Sequence, residues 1–116
     1  MPKFGEFLES AQIGEVVQYV RKISGQDNDA TAATAGEVVF ADNCAACHGE
    51  DGKGIKELGA PNLTDAIWLY GGDVANLTTT VTYARAGVMP AWAGRLSESQ
   101  IRQVAIWVHQ QGGGQN

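Results

Sequence analysis

Five consecutive residues, Cys44-Ala45-Ala46-Cys47-His48, constrain this chain more than any others. C-x-x-C-H is the attachment signature of a c-type haem. Two thiols one helical turn apart add to the two vinyl groups on one edge of a porphyrin. The next residue, His48, then lies under the iron and offers an axial nitrogen. A haem held by thioethers cannot dissociate, so a small domain can keep it. Other uses of the pattern fit less well. A thioredoxin-like redox couple needs a βαβ setting, and none is visible. A structural zinc site needs four ligands; beyond Cys44, Cys47 and His48 the chain offers only the distant His109. The expectation is one covalently bound haem c, with Cys44 and Cys47 as its thioethers and His48 as an iron ligand.

The chain has 116 residues, enough for one small domain with extra length. Both cysteines belong to the motif, so stability must come from a modest core and the cofactor. A net charge of -5 argues against nucleic acid and against an anionic membrane surface as partners. No run approaches the roughly 18 apolar residues of a membrane span, and no signal peptide is visible at Met1. Haem is attached outside the bacterial cytoplasm. The sequence is therefore expected to be a piece of a longer, exported or membrane-anchored protein.

Taken in order, Ile13, Val16, Val17 and Val20 follow the i, i+3, i+4, i+7 pattern of an amphipathic helix over 9–24, with Gly25 as its stop. Residues 24–35, SGQDNDATAATA, hold no large apolar residue and are expected to be a linker. The division that follows is 1–25, then a linker at 26–35, then a haem domain at 36–116. Gly36 to Asn43 is predicted to lead into the motif as a helix. Gly36 and Phe40 share a face, and the missing side chain at Gly36 invites a second helix to cross there. Trp107 supplies the bulk for that crossing. A glycine-rich surface loop, 49–59, precedes Pro61. The Pro61 carbonyl is either an acceptor for the Nδ1–H of His48, the outer bond that a ligating histidine needs, or part of an ordinary turn. Residues 64–70 read as a short apolar helix or turn.

Asp73 is placed to cap a helix over 74–86 that Gly87 closes, with Val74, Leu77 and Val81 on one face. Arg85 either reaches a haem propionate or stays solvated. Gly87-Val88-Met89-Pro90-Ala91-Trp92 is the second chemical element. Electron-transfer haems often take a thioether as sixth ligand, which raises the reduction potential. Met89 is the expected sixth ligand, ahead of His109, which falls late in a helix needed for packing. Candidate cofactor-binding residues are thus Cys44, Cys47, Pro61, Arg85 and Trp92, with His48 and Met89 as the axial iron ligands. Ser97 and Gln100 form a capping box for the last helix, flanked by the staple pair Leu96 and Ile101. The closing GGGQN is expected to fray.

The start and end of the chain match each other. At a constant offset of 88, eight of 25 positions in 1–25 and 89–113 are identical: Met1/Met89, Pro2/Pro90, Leu8/Leu96, Gln12/Gln100, Ile13/Ile101, Val16/Val104, Val20/Val108 and Gly25/Gly113. Phe4/Trp92 and Tyr19/Trp107 are aromatic in both. Residues 1–25 therefore read as the last loop and helix of an upstream haem domain. Their apolar stripe would have to dock on the haem domain of its own chain or on a second copy, the latter making a dimer.

Gly36, Phe40, Cys44, Cys47, His48, Pro61, Met89 and Trp107 together resemble the class I cytochromes c. More narrowly, PNLTDAIWLYGG, ARAGVMPAWAGRLSESQIRQVAIWVHQ and the repeated Met-Pro-helix unit are similar to the dihaem cytochrome c subunit, subunit III, of cbb3-type oxidases. The resemblance implies an all-α class I cytochrome c fold. It implies an electron carrier, not itself an enzyme, that relays single electrons from a donor cytochrome towards a terminal oxidase. It also implies a place on the periplasmic side of the bacterial inner membrane, with cytochromes and oxidase subunits as partners. Three other readings stand beside it: a haem sensor or enzyme with a labile sixth ligand, a stand-alone periplasmic carrier, and an assembly module with a structural haem.

Overall fold

The apolar stripe near the N-terminus forms helix α1, Ser10–Ile23. Its start is fixed by Gln12, whose Oε1 accepts the Glu9 backbone N–H at 3.0 Å. Ile13, Val16, Val17 and Val20 are all buried. Each such side chain removed from water contributes about 1.5–3 kcal/mol, so this stripe decides where α1 lies. It packs on α2, Ala30–Asn43, and on α4, Val74–Tyr83. A one-turn 3-10 helix, Phe4–Glu6, also rests on α4 and buries Phe4. The α1 stripe thus packs on α2 and α4 of its own chain.

The computed structural model describes residues 1–112. Among them there are five α-helices and no strand, only an isolated bridge between Ile55 and Ala60. The short α3 is Ala45–His48, and α5 is Glu98–Gln111. The described residues fall into two compact units, Met1–Arg85 and a second that begins at Ala86. The expected fraying from Gly113 on lies outside the described residues.

Two local expectations are corrected. The segment 30–35, assigned to the linker, is the first part of α2. Asp29 caps it, its Oδ1 accepting the Ala32 N–H at 2.9 Å. The segment lacks large side chains but is rich in alanine, the best helix former. Ala33 is fully buried, so the small residues are the packing surface. Second, α4 ends at Tyr83, three residues early, because Ala84 turns the chain at φ 57°. Gly87 does not close it. Residues 64–70, expected to be a short helix or turn, contain bends and no helix.

The crossing at Gly36 exists, but its partner is α1. A Cβ built on Gly36 would collide with the Glu15 carbonyl and stand 2.9 Å from the Val16 nitrogen. The Tyr19 and Phe40 rings pack one turn away, 5.1 Å between centroids and tilted by 50°. Within the first unit it is α1 that meets Gly36; Trp107, expected at this place, belongs to the second unit.

The local structure of the two matching segments also repeats at the offset of 88. Leu8 N–H donates to the Phe4 carbonyl at 2.8 Å, and Leu96 N–H to the Trp92 carbonyl at 2.9 Å. Glu9 N–H donates to Gln12 Oε1 at 3.0 Å, and Ser97 N–H to Gln100 Oε1 at 2.9 Å. Ser97 Oγ also accepts the Gln100 N–H at 3.2 Å, which completes the predicted capping box.

The helix crossing gives a sharp test. Gly36→Ala improves intrinsic helix propensity by about 1 kcal/mol, yet it should lower the melting temperature, because the added methyl meets backbone that cannot rotate away. A net loss of roughly 1–3 kcal/mol is expected. A thermal melt at or above the parent's would show that α1 and α2 do not meet at Gly36.

Candidate functional site

The C-x-x-C-H motif follows α2 without a break in hydrogen bonding. Cys44 ends α2 by donating its N–H to the Phe40 carbonyl at 2.8 Å. Its own carbonyl then accepts from Cys47 at 3.1 Å and His48 at 2.9 Å. The two thiols therefore sit one helical turn apart, as thioether bonds to one porphyrin edge require. Cys44 is half-buried and Cys47 exposed, and both are free thiols. Burial, with Cys47 beside it, pushes the Cys44 thiol up to about 11, so it is protonated at neutral pH.

His48 is held by the loop that follows. Its Nδ1 lies 3.0 Å from the Pro61 carbonyl oxygen. A carbonyl can only accept, so Nδ1 carries the proton and the neutral ring leaves a lone pair on Nε2. This is the tautomer that a metal-ligating histidine needs, and a carbonyl is a common outer partner for it. Of the two readings of Pro61, the geometry matches the acceptor.

The loop reaches back because of Gly54. Gly54 N–H donates to the His48 carbonyl at 2.7 Å, and Leu63 N–H to the Gly52 carbonyl at 2.7 Å. Gly54 has φ 86°, open to glycine and strained for other residues. A Cβ there would also strike the Ala60 carbonyl and the Pro61 backbone. Sequence reasoning did not single out Gly54; its signal was spread over the four glycines of 49–59.

The other candidate residues fall as follows. Arg85, in the first unit, is half-buried. One guanidinium nitrogen lies 3.4 Å from the Tyr70 carbonyl and 3.5 Å from Asn76 Oδ1, and the group stacks over the Tyr70 ring at 5.4 Å. Asp73 caps α4 as expected, accepting the Asn76 N–H at 3.0 Å. Hydrogen bonds from Asn76 hold its carboxyl below the usual carboxylate range. Met89 and Trp92 belong to the second unit. Met89 is on a segment without regular secondary structure and exposed, and Trp92 stacks with Arg95 at 5.2 Å. The structure thus assembles Cys44, Cys47, His48 and Pro61 into one site.

The donor set suits a haem better than a bare ion. Among the described residues no three His, Cys, Asp or Glu side chains converge as metal ligands, so the zinc alternative finds no cage. Leu58, Ile67 and Leu69, on the segments after the motif, are exposed. Large apolar side chains left uncovered, in a chain that also offers two thiols and an imidazole lone pair, suit a large apolar, iron-bearing cofactor.

Comparison with known proteins agrees. Residues 31–108 match the family described as cytochrome c oxidase, cbb3-type, subunit III. The chain belongs to this family. It is 63% identical over 117 residues to the cbb3-type cytochrome c oxidase subunit CcoP of Cereibacter sphaeroides, covering 99% of this chain and 40% of that protein. The Rhodobacter capsulatus subunit CcoP is 64% identical, with coverage of 95% and 39%. The Azorhizobium caulinodans subunit FixP is 53% identical, with coverage of 99% and 40%. The chain thus spans about two-fifths of the length of these relatives. As a cytochrome c domain of this family it is all-α, and membership implies covalently bound haem c.

The loop's role can be checked directly. Gly54→Ala should displace the Pro61 carbonyl from His48. Nitrogen-15 spectra of the imidazole in the haem-free chain should then lose the single Nδ1–H form and show a mixture of tautomers. An unchanged His48 spectrum would mean that Gly54 does not hold the loop.

Proposed function

We propose that this chain carries one haem c, bound through Cys44 and Cys47, with His48 and Met89 as axial ligands, and that it passes single electrons from a donor cytochrome towards a cbb3-type oxidase. The observation that carries the reading is the His48–Pro61 hydrogen bond, which leaves Nε2 of the C-x-x-C-H histidine as a free donor. When bound, the haem supplies a one-electron ferric–ferrous couple. The protein's share is to fix the imidazole, hold two thiols at helical spacing and provide apolar cover. With His48 and Met89 both holding the iron, no open site for a substrate would remain, which suits a carrier.

Met89 is the only methionine of the chain besides Met1. Its soft thioether favours ferrous iron and raises the potential. Met1 should not ligate this haem. Arg85, close to the Tyr70 carbonyl and Asn76, is proposed to turn towards a propionate, and Trp92 to cover the cofactor beside Met89. The partners are proposed to be a donor cytochrome and oxidase subunits on the periplasmic side of the inner membrane, the parent protein being membrane-anchored. The family resemblance and the relatives' names support that placement. The repeat further supports residues 1–25 as the end of an upstream haem domain.

The ligand assignment is tested by Met89→Ala in the haem-loaded chain. The ferric spectrum should change from low-spin to high-spin or water-ligated, with loss of the methionine-to-iron charge-transfer band, and the midpoint potential should fall. An unchanged low-spin spectrum would point to His109. A wild-type spectrum that is already high-spin would favour the reading with a labile sixth ligand.

A further inference from the structure

We infer that a cleft between α1 and the end of α2 receives a lysine or arginine side chain of a basic partner protein. The cleft is lined by Tyr19, Glu37, Phe40, Ala41, Ala45 and Glu50 and encloses about 270 Å³. All six residues belong to the first unit. Pockets that enclose a whole small-molecule ligand run from about 300 to 1,000 Å³, so one side chain is an occupant of the right size.

The sequence explains the hollow. Glu37, Ala41 and Ala45 follow one another in steps of four along α2 and into the C-x-x-C-H turn, and residues at that spacing share a face. The two alanines keep this face low beside Tyr19 and Phe40, whose rings pack 5.1 Å apart. Glu50 joins at the other end of the row, because Gly49 N–H donates to the Ala45 carbonyl at 2.8 Å. The cleft therefore has an aromatic floor and methyl walls, with a carboxylate contributed at each end.

Three features select a cation. First, both charged groups of the lining are carboxylates. Among the described residues the ion pairs are Lys53–Asp51 and Arg102–Glu98, so Glu37 and Glu50 are not engaged. Second, Phe40 and Ala41 lie in the last turn of α2, where the helix dipole favours positive charge. Third, aromatic rings attract an ammonium or guanidinium group. The aliphatic stem of a lysine or arginine can cover those rings while its head stays with the carboxylates. Burial, with Glu37 nearby, raises the Tyr19 phenol above its ordinary value, so the ring stays neutral. A bare metal ion is a poorer fit, because no three such ligands converge among the described residues. An anionic partner would be repelled by a chain of net charge -5. Ala45 lies in the C-x-x-C-H turn itself, so a partner seated here touches the haem-attachment segment. Taking that partner to be the donor cytochrome rests on the electron-transfer reading; the binding does not.

The test uses the full, haem-loaded chain with a soluble c-type cytochrome rich in surface lysines as the probe, at low ionic strength. Both proteins are kept reduced, so that binding is read by proton shifts without electron transfer. The largest shifts should fall on Tyr19, Phe40, Ala41 and Ala45. Glu37→Gln with Glu50→Gln should raise the Kd at least tenfold while the midpoint potential stays unchanged. Ala41→Leu, which fills the cleft and leaves the charge alone, should raise it at least threefold. Glu6→Gln with Glu57→Gln removes the same charge from exposed positions outside the cleft and should raise it less than threefold. Acetylating the lysines of the probe should abolish binding. Equal weakening by the two double variants overturns the proposal, since net charge alone is then at work. Full affinity in Ala41→Leu, shifts centred elsewhere, or no binding at all overturn it too. Self-association of the chain that the cleft variants abolish also overturns it, because the occupant is then a second copy.

Discussion

The contact between the α1 backbone and Gly36 of α2 sets the arrangement of the first unit. Two helices approach this closely only where side-chain volume is missing, and Gly36 with the buried Ala33 provides that space. The apolar stripe of α1 then reaches Phe40 and Val39, and Leu77 of α4 joins the same cluster. Cys44 is the residue at which α2 ends. Whatever fixes α2 therefore also fixes the direction in which the C-x-x-C-H turn leaves the helix bundle. Cys44 and Ala45 themselves pack against this cluster, so the motif is held from behind.

On the other side the motif is held by polar geometry. The loop from Gly49 to Leu63 closes on itself through short backbone bonds from Gly54 and Leu63 and returns with Pro61 beside His48. The outcome is an imidazole with one protonated and one free nitrogen, decided by a main-chain oxygen that does not titrate. Such a partner fixes the ring without adding charge near the metal, unlike a carboxylate. That suits a site whose proposed role is to change the iron's charge by one while its ligands stay in place.

Much of this was legible in the sequence wherever the signal was local. The helical spacing of Cys44, Cys47 and His48, the caps at Asp73 and Ser97, and the stripe of α1 each depend on residues a few positions apart. The first turn of α2 was missed because its packing residues are alanines, whose small size resembles linker composition. The end of α4 was misplaced because Ala84 carries a left-handed turn that nothing in its residue type announces. That α1 meets Gly36 within the first unit was not foreseen, for a different reason. The chain contains the same apolar pattern twice, and pattern alone cannot choose between Tyr19 and Trp107. In the first unit Tyr19 packs on Phe40, and Gln18 and Arg21 add bonds to the Asp29 N–H and the Gly72 carbonyl.

The central claim is that this fold holds a single haem through two thioether bonds at Cys44 and Cys47. The most direct measurement is the mass of the matured chain after denaturation in acidic solvent that extracts non-covalent haem. The account predicts one species, heavier than the polypeptide by one haem, and a reduced pyridine spectrum characteristic of two saturated vinyl groups. A polypeptide at its bare mass, with the haem released into the solvent, would contradict it.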